Sequence, residues 1–103
     1  MRMRVWCLTI RVRKNDEVDG KRLQRVLLDL LMKSGISGAT VWNGVDGFGK
    51  RERSKVHIEG VSINMPLMME VIDEKTKLEP LLQEIKRLVN DNGLVTLHEI
   101  EAL

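Results

Sequence analysis

Two stretches of the chain repeat apolar residues with the period of a helix. In the first, apolar positions recur at i, i+3, i+4, i+7 and i+8, which predicts an amphipathic helix ended by Gly35. The same period over residues 78–89 predicts a second helix, ended by Asn92-Gly93. We expect Asp19 to cap the first helix and Thr76 to cap the second. The two apolar stripes are Leu23, Val26, Leu27, Leu30 and Leu31, and then Leu78, Leu81, Leu82, Ile85, Leu88 and Val89.

Strand-like patterns occupy the segments around these helices. Residues 3–12 alternate and are apolar on both faces, and residues 67–72 form a compact apolar run, so both are predicted to be buried strands. Residues 39–45 and 94–100 predict two more strands, and the rhythm also resumes over residues 56–63, interrupted at Gly60. Pro66 marks a bend or an edge position, because proline cannot donate to a sheet ladder.

The order of the predicted elements is β-α-β-β-α-β, which indicates an α+β fold of the ferredoxin-like class. Such a sandwich has an antiparallel sheet with two helices on one face. We expect residues 1–103 to form a single domain, because this length supplies one core of moderate size. Since the helices would cover one face only, strands that are apolar on both faces would expose an apolar patch. Patches of that kind mark assembly, so we expect a homo-oligomer.

Charge is unevenly distributed along the chain. The formal net charge of +2 combines a balance of +7 over residues 1–55 with one of −5 over residues 56–103. Separate basic and acidic surfaces suit either an anionic ligand or self-assembly between unlike faces. The apolar runs are too short to span a membrane and the chain starts without a signal-peptide pattern, so we expect a cytoplasmic protein. The one cysteine, Cys7, cannot form an internal disulfide.

Enzymatic chemistry has little support in the sequence. His57 and His98 lie far apart, and no cysteine, histidine and carboxylate residues show the spacing of a metal site or a nucleophilic site. We therefore expect a protein that is not an enzyme and requires no cofactor. Nucleic-acid binding by the sheet is a competing hypothesis, but it needs aromatic side chains on the central strands. The chain has only Trp6, Trp42 and Phe48.

A glycine-rich stretch is the best candidate for a binding site. Residues 35–49 contain five glycines, and Lys50, Arg51 and Arg53 follow them. Glycine is favoured where the backbone has a positive φ or where another group must come close. Glycine amides followed by cations can bind an anion such as phosphate. The plainer interpretation is a helix end, a strand and a hairpin turn.

The same stretch carries a resemblance to a known family. Residues 38–49, with the pattern Gly-Ala-Thr-Val-x-x-Gly-x-x-Gly-Phe-Gly, resemble the second strand and T-loop entrance of PII-type signalling proteins. The match is closer to a PII-like family of unknown function. It extends to residues 54–57, to 66–73 with the ending Glu-Val-Ile-Asp, and to the Gly-Leu-Val-Thr of residues 93–96. The likeness thus covers most of the chain in the right order.

The resemblance implies a regulatory or sensor protein that is a homotrimer, with its sheets facing inward and an adenine nucleotide (AMP, ADP or ATP) bound between subunits. It implies that Thr40, Gly47, Phe48 and Gly49 line the nucleotide cleft, with Lys50 or Arg51 near phosphate. Residues 50–63 would form the mobile signalling loop. This chain departs from the family pattern at Asn43, Arg11 and Arg22, and residues 90–93 lack the basic Gly-Lys segment that PII proteins carry before the last strand. A CutA-type trimeric metal-binding protein shares the architecture and is an alternative, in which His57 would take part.

Overall fold

A four-stranded antiparallel sheet forms the centre of the protein. The computed structural model describes residues 2–49 and 64–103. The strands are β1 (Met3–Arg13), β2 (Glu17–Val18), β3 (Lys21–Arg22), β4 (Ala39–Asn43), β5 (Pro66–Asp73) and β6 (Leu94–Ala102). The helices are α1 (Leu23–Lys33), α2 (Lys75–Leu78) and α3 (Leu82–Val89), with 3₁₀ turns at Glu79–Leu81 and Asn90–Asn92. The strands of the four-stranded sheet lie in the order β4-β5-β1-β6. This arrangement of strands and helices confirms the predicted ferredoxin-like α+β fold.

The core lies between the sheet and the helices. On β1, the central strand, Leu8, Ile10 and Val12 are buried on the helix side. Their neighbours are buried residues of β5 and of the two predicted apolar stripes, so both stripes are confirmed as the core-facing sides of helices. The members of this core are Leu8, Ile10, Val12, Leu23, Leu27, Leu31, Leu67, Met69, Val71, Leu78, Ile85, Leu88 and Val89. In the described part of the chain, no helix is both long and apolar enough to cross a membrane.

The start of α1 differs from the prediction. Asp19 does not cap the helix: the capping position is held by Arg22, which makes no side-chain capping hydrogen bond. Asp19 and Gly20 instead form the two-residue turn between β2 and β3, with φ angles of 52° and 77°. An Asp-Gly pair suits such a hairpin turn because both central residues must adopt positive φ. The polar connection between β1 and α1 is therefore a small hairpin.

The second helical stretch also begins differently from the prediction. Glu74, rather than Thr76, holds the capping position of α2, without a side-chain capping bond. The stretch is then interrupted by the 3₁₀ turn that contains Pro80. Proline lacks the N–H that an α-helix interior requires, so the chain tightens at this point before α3 begins.

The strand predictions hold to within a few residues. β4 ends at Asn43, two residues before the predicted end, and Gly44 donates its amide to the carbonyl oxygen of Pro66 at 2.7 Å. β5 begins at Pro66 itself. The strand rhythm predicted over residues 56–63 lies outside the described residues.

The sheet face away from the helices, called the open face below, combines apolar side chains with polar ones such as Glu70 and Thr96, which lie in register with Thr9. Val5, Cys7 and Thr9 of β1 are buried there by their cross-strand neighbours. Around them the same face exposes large apolar side chains, namely Met3, Trp42, Ile72 and Leu94. The face assignment follows from register, because directly opposed residues such as Cys7 and Ile72 lie on one face. The prediction that β1 is apolar on both faces is confirmed.

Candidate functional site

A cavity of about 440 Å³ lies at one end of the sheet. It forms where the C-terminal end of β1, the segment after β4, the start of β5 and the segment before β6 meet. This volume falls within the usual range of small-molecule sites, about 300–1,000 Å³. The lining residues are Arg11, Val12, Arg13, Asp46, Gly47, Phe48, Gly49, Pro66, Asp91, Asn92, Gly93 and Leu94.

Close packing against Pro66 fixes the first wall, residues 44–49. A Cβ added to Gly44 would lie 2.9 Å from Cβ of Pro66, and one added to Gly47 would lie 3.1 Å from Cγ of the same ring. Neither glycine has a positive φ, so these positions favour glycine for lack of space. Gly44 donates to Pro66, and the amide of Gly47 donates to Oδ1 of Asp46 at 2.8 Å. Two amides of the predicted anion-binding run are therefore already hydrogen-bonded within the wall.

The second wall, residues 90–93, packs onto the end of β1. A Cβ on Gly93 would overlap the carbonyl oxygen of Arg11 and lie 2.8 Å from Cγ1 of Val12. Asn90 begins this wall with φ 51° and ψ −132°, a conformation rarely adopted by residues with a side chain. A strained residue and a close backbone contact thus shape one side of the cavity.

Charges of both signs line the cavity. Among the described lining residues, the guanidinium groups of Arg11 and Arg13 are matched by the carboxylates of Asp46 and Asp91. Arg11 is exposed and donates from Nη1 to Oγ1 of Thr96 on β6 at 3.3 Å. Guanidinium groups bind phosphate and carboxylate groups through paired N–H donors. The cavity can therefore receive an anionic group, while its overall charge among these residues is balanced.

The remaining lining is apolar. Phe48 is 89% exposed and Leu94 is 57% exposed, while Val12 belongs to the buried core. Pro66 completes this part of the lining. An apolar, partly aromatic lining beside guanidinium groups suits a ligand that combines a flat ring with an anion.

Some of the predicted site residues line this cavity and others do not. Gly47, Phe48 and Gly49 line it. Thr40 does not: it lies on β4 in register with Glu70, away from the lining residues. Lys50 and Arg51 lie outside the described residues.

Sequence reasoning did not select the lining residues of β1 or of the segment before β6. The signals were present, because Arg11 and Arg13 belong to a short basic cluster at the end of a strand. The Asn-Gly that ends the second helix likewise marks the start of β6. What was missing was the strand order, which places β6 beside β1.

The first part of the glycine-rich stretch has a different role at the other end of β4. The amide and hydroxyl of Ser37 both donate to Oδ2 of Asp73 at 2.9 Å, and the amide of Glu74 donates to Oδ1 at 2.7 Å. Burial of this carboxylate opposes its ionisation, but the bonds from Ser37 and Glu74, with Lys77 nearby, outweigh that effect and lower the pKa of Asp73. This cluster tethers the α1–β4 connection to the end of β5.

The structure provides observations on the two alternative functions, metal binding and nucleic-acid binding. Within residues 2–49 and 64–103, no three His, Cys, Asp or Glu side chains come together as a metal site. His57, on which the CutA-type alternative depends, is outside those ranges. For nucleic-acid binding, the open face of the central strands β1 and β5 carries no aromatic side chain in the described residues, and Trp42 lies on the edge strand β4.

The strand order and the arrangement of the helices match the fold of PII-like proteins. CPII, a nitrogen regulatory PII-like protein from Thiomonas intermedia K12 solved with ADP, AMP and bicarbonate, superposes with a TM-score of 0.78 at 18% identity. That match covers 99% of this chain and 91% of CPII. GlnK of B. subtilis, solved as an ATP complex, gives a TM-score of 0.61 at 20% identity over 94% of this chain and 82% of its own. At these identities the likeness establishes the fold.

The chain belongs to the DUF190 family, whose model, described as "Uncharacterized ACR", matches residues 5–102. A UPF0166 protein of Methanocaldococcus jannaschii is 30% identical over 90 residues, which cover 87% of this chain and 83% of that protein. A UPF0166 protein of Aquifex aeolicus is 32% identical over 97 residues, 93% of this chain and 90% of the relative. The resemblance to PII-like proteins stated from the sequence is confirmed.

Proposed function

We propose that this protein is a PII-like regulatory or sensor protein that binds an adenine nucleotide in the cavity between residues 44–49 and 90–94. The observation that carries the proposal is the composition of this cavity, which combines Arg11 and Arg13 with the exposed ring of Phe48. Two proteins of the same fold support it, since CPII was solved with ADP and AMP and GlnK with ATP.

The basic residues at the cavity are suited to the phosphate groups of a nucleotide. Arg11 and Arg13 supply guanidinium donors for phosphate oxygens, which they can bind in a bidentate manner. Lys50 and Arg51 follow Gly49 directly in sequence and are proposed to add charge at the phosphate. Thr40 does not line the cavity of its own chain, and its contact with a nucleotide bound between subunits stays a prediction.

We place the assembly on the open face, as a homotrimer whose sheets face inward. Exposed apolar residues such as Met3 and Ile72 on one face favour burial against other copies of the chain. Leu94 and Arg11 are cross-strand partners on this face, and both also line the cavity. The cavity therefore borders the proposed interface, so a bound nucleotide would lie at the boundary between subunits.

The signalling part of the proposal rests on the sequence. Residues 50–63 connect the first wall of the cavity to β5, so a nucleotide bound at Gly47, Phe48 and Gly49 would act next to them. We propose that these residues present the bound state to a protein target, as the resemblance to PII-type proteins implies. The role is non-enzymatic.

The test is a calorimetric titration of the purified protein with AMP, ADP and ATP, together with light scattering for the mass. We expect a mass of three chains and saturable binding of at least one nucleotide. Arg11→Gln with Arg13→Gln should weaken that binding about tenfold or more, since each charge-assisted contact contributes about 1.5–3 kcal/mol. Arg25→Gln, an exposed arginine of α1 outside the cavity, is the matched control. Unchanged affinity in the double variant would place the nucleotide elsewhere, and no binding of any nucleotide would refute the proposal.

A further inference from the structure

We infer that Phe48 is the base-stacking residue of this site and that it makes the site select purine nucleotides over pyrimidine nucleotides. The inference rests on the proposed nucleotide function. Its starting point is the 89% exposure of the Phe48 ring at a cavity that it lines. A phenylalanine ring left in water gains none of the stabilisation that burial provides, so a ligand that covers it binds more tightly.

The backbone on one side of Phe48 is fixed. Gly47 packs against the ring of Pro66 and donates its amide to Asp46, which holds the residue before Phe48 in place. On the other side, a Cβ added to Gly49 would meet no atom within 4 Å. The segment is thus anchored before Phe48 and open at Gly49, and the Phe48 ring itself is exposed to solvent. A flat base can approach such a ring without displacing protein atoms.

No other aromatic side chain is available to the cavity from the described residues. Trp6 packs against the core and lies under the ammonium group of Lys75, with Nζ 5.4 Å from the ring centroid. Trp42 lies in register with Met68 on the open face. Because the chain contains three aromatic residues in all, Phe48 is the one that can stack on a base in this cavity.

Because the charges that line the cavity are balanced, nucleotide binding depends more on the ring of Phe48. Two arginines and two aspartates line the same cavity, so the attraction of the described lining for a phosphate is partly offset by repulsion. Binding then depends strongly on the base. Stacking is stronger for the larger π-surface of a purine than for that of a pyrimidine, and this difference gives the selectivity.

The experiment compares AMP, CMP and ribose 5-phosphate as ligands of the wild-type protein and of Phe48→Ala, Phe48→Trp and Val45→Ala. Affinities are measured by calorimetry, with ribose 5-phosphate measured by displacement of AMP. Val45 is the matched control, an exposed apolar residue three positions earlier that does not line the cavity. Circular dichroism melting establishes that each variant is folded.

For Phe48→Ala we expect AMP affinity to fall about tenfold, within the range found when a stacking aromatic is removed. The ratio of AMP to CMP affinity should approach one, ribose 5-phosphate should bind as before, and Phe48→Trp should retain AMP binding. If AMP binds the wild type but Phe48→Ala leaves its affinity unchanged, or weakens AMP and ribose 5-phosphate equally, the stacking assignment is wrong while the nucleotide site stands. If the wild type binds none of AMP, ADP and ATP, the proposed function itself fails.

Discussion

Gly93 lies directly against the carbonyl group of Arg11, leaving no space for a side-chain atom between them. Its φ of −161° is an extended value that any residue can adopt, so glycine is required here by space and not by backbone conformation. This contact joins the segment before β6 to the end of β1. It also brings both segments to the cavity, where Arg11 and Gly93 are lining residues.

Replacement of Gly93 by alanine should therefore destabilise the protein and damage the site. The new methyl group must displace the backbone of β1 or of residues 90–93, and overpacking of this kind costs about 1–3 kcal/mol. Gly38→Ala is the control, because a Cβ there meets nothing within 4 Å and the φ is not positive. Urea unfolding measures both free energies. Equal effects at the two glycines would contradict the close contact.

A substitution at Asn90, unlike the one at Gly93, should stabilise the protein. With φ 51° and ψ −132°, its side chain is held in a strained backbone conformation that glycine adopts freely. Relief of the strain, about 1–3 kcal/mol, exceeds the entropic cost of glycine, so we expect Asn90→Gly to gain about 1 kcal/mol. Asp91→Gly, at the next position and without a positive φ, should instead lose stability. A loss of stability in both variants, measured by urea unfolding, would rule out strain at Asn90.

The buried carboxylate of Asp73 should make stability depend on pH. Its pKa lies below the ordinary value of 3.8, because the hydrogen bonds from Ser37 and Glu74 outweigh the effect of burial. A lowered pKa in the folded state stabilises the protein at pH values above that ordinary value, and the contribution is lost as the pH falls through the folded pKa. Asp73→Asn should thus cost about 1–3 kcal/mol at pH 7 and progressively less below about pH 4.

Two further variants test this account of Asp73. Ser37→Ala removes one donor to the carboxylate and should reproduce part of the loss at pH 7. Asp29→Asn, at an exposed position on α1, should leave the free energy of unfolding nearly unchanged. Chemical unfolding at pH 7, 5 and 3 provides the comparison. A difference between the wild type and Asp73→Asn that is constant across this range would contradict a titrating role.

The periodicity of the sequence predicts most of the fold, because the spacing of apolar residues reflects which side chains are buried. The stripe from Leu23 to Leu31 lies on the sheet, and β1 is apolar on both faces, as its alternation predicts. The turn at Asp19 was missed because aspartate serves equally well before a helix and in an Asp-Gly hairpin. Spacing along the chain does not separate these two roles.

The site was harder to predict because its parts meet only through the strand order. Gly44 and Gly47 were identified as a glycine-rich segment, but their contact with Pro66 is a property of the β4–β5 pairing. Gly93 and Arg11 meet because the last strand lies beside the first. Thr40 lies near this segment in sequence but is in register with Glu70 and does not line the cavity of its own chain. Its contact with a nucleotide between subunits stays a prediction.

A charge among the apolar side chains of the open face should separate the proposed trimer into single chains. Ile72 is 42% exposed and lies beside Cys7, so Ile72→Lys would place an ammonium group within the apolar contact between copies. Met32→Lys is the control, because Met32 is an exposed apolar residue of α1, away from the sheet. Light scattering should report one chain for Ile72→Lys and three for Met32→Lys, and Ile72→Val should remain trimeric. Because the cavity borders this face at Arg11 and Leu94, the monomeric variant should also bind nucleotide more weakly. A folded Ile72→Lys that keeps the mass of three chains would place the interface on another surface.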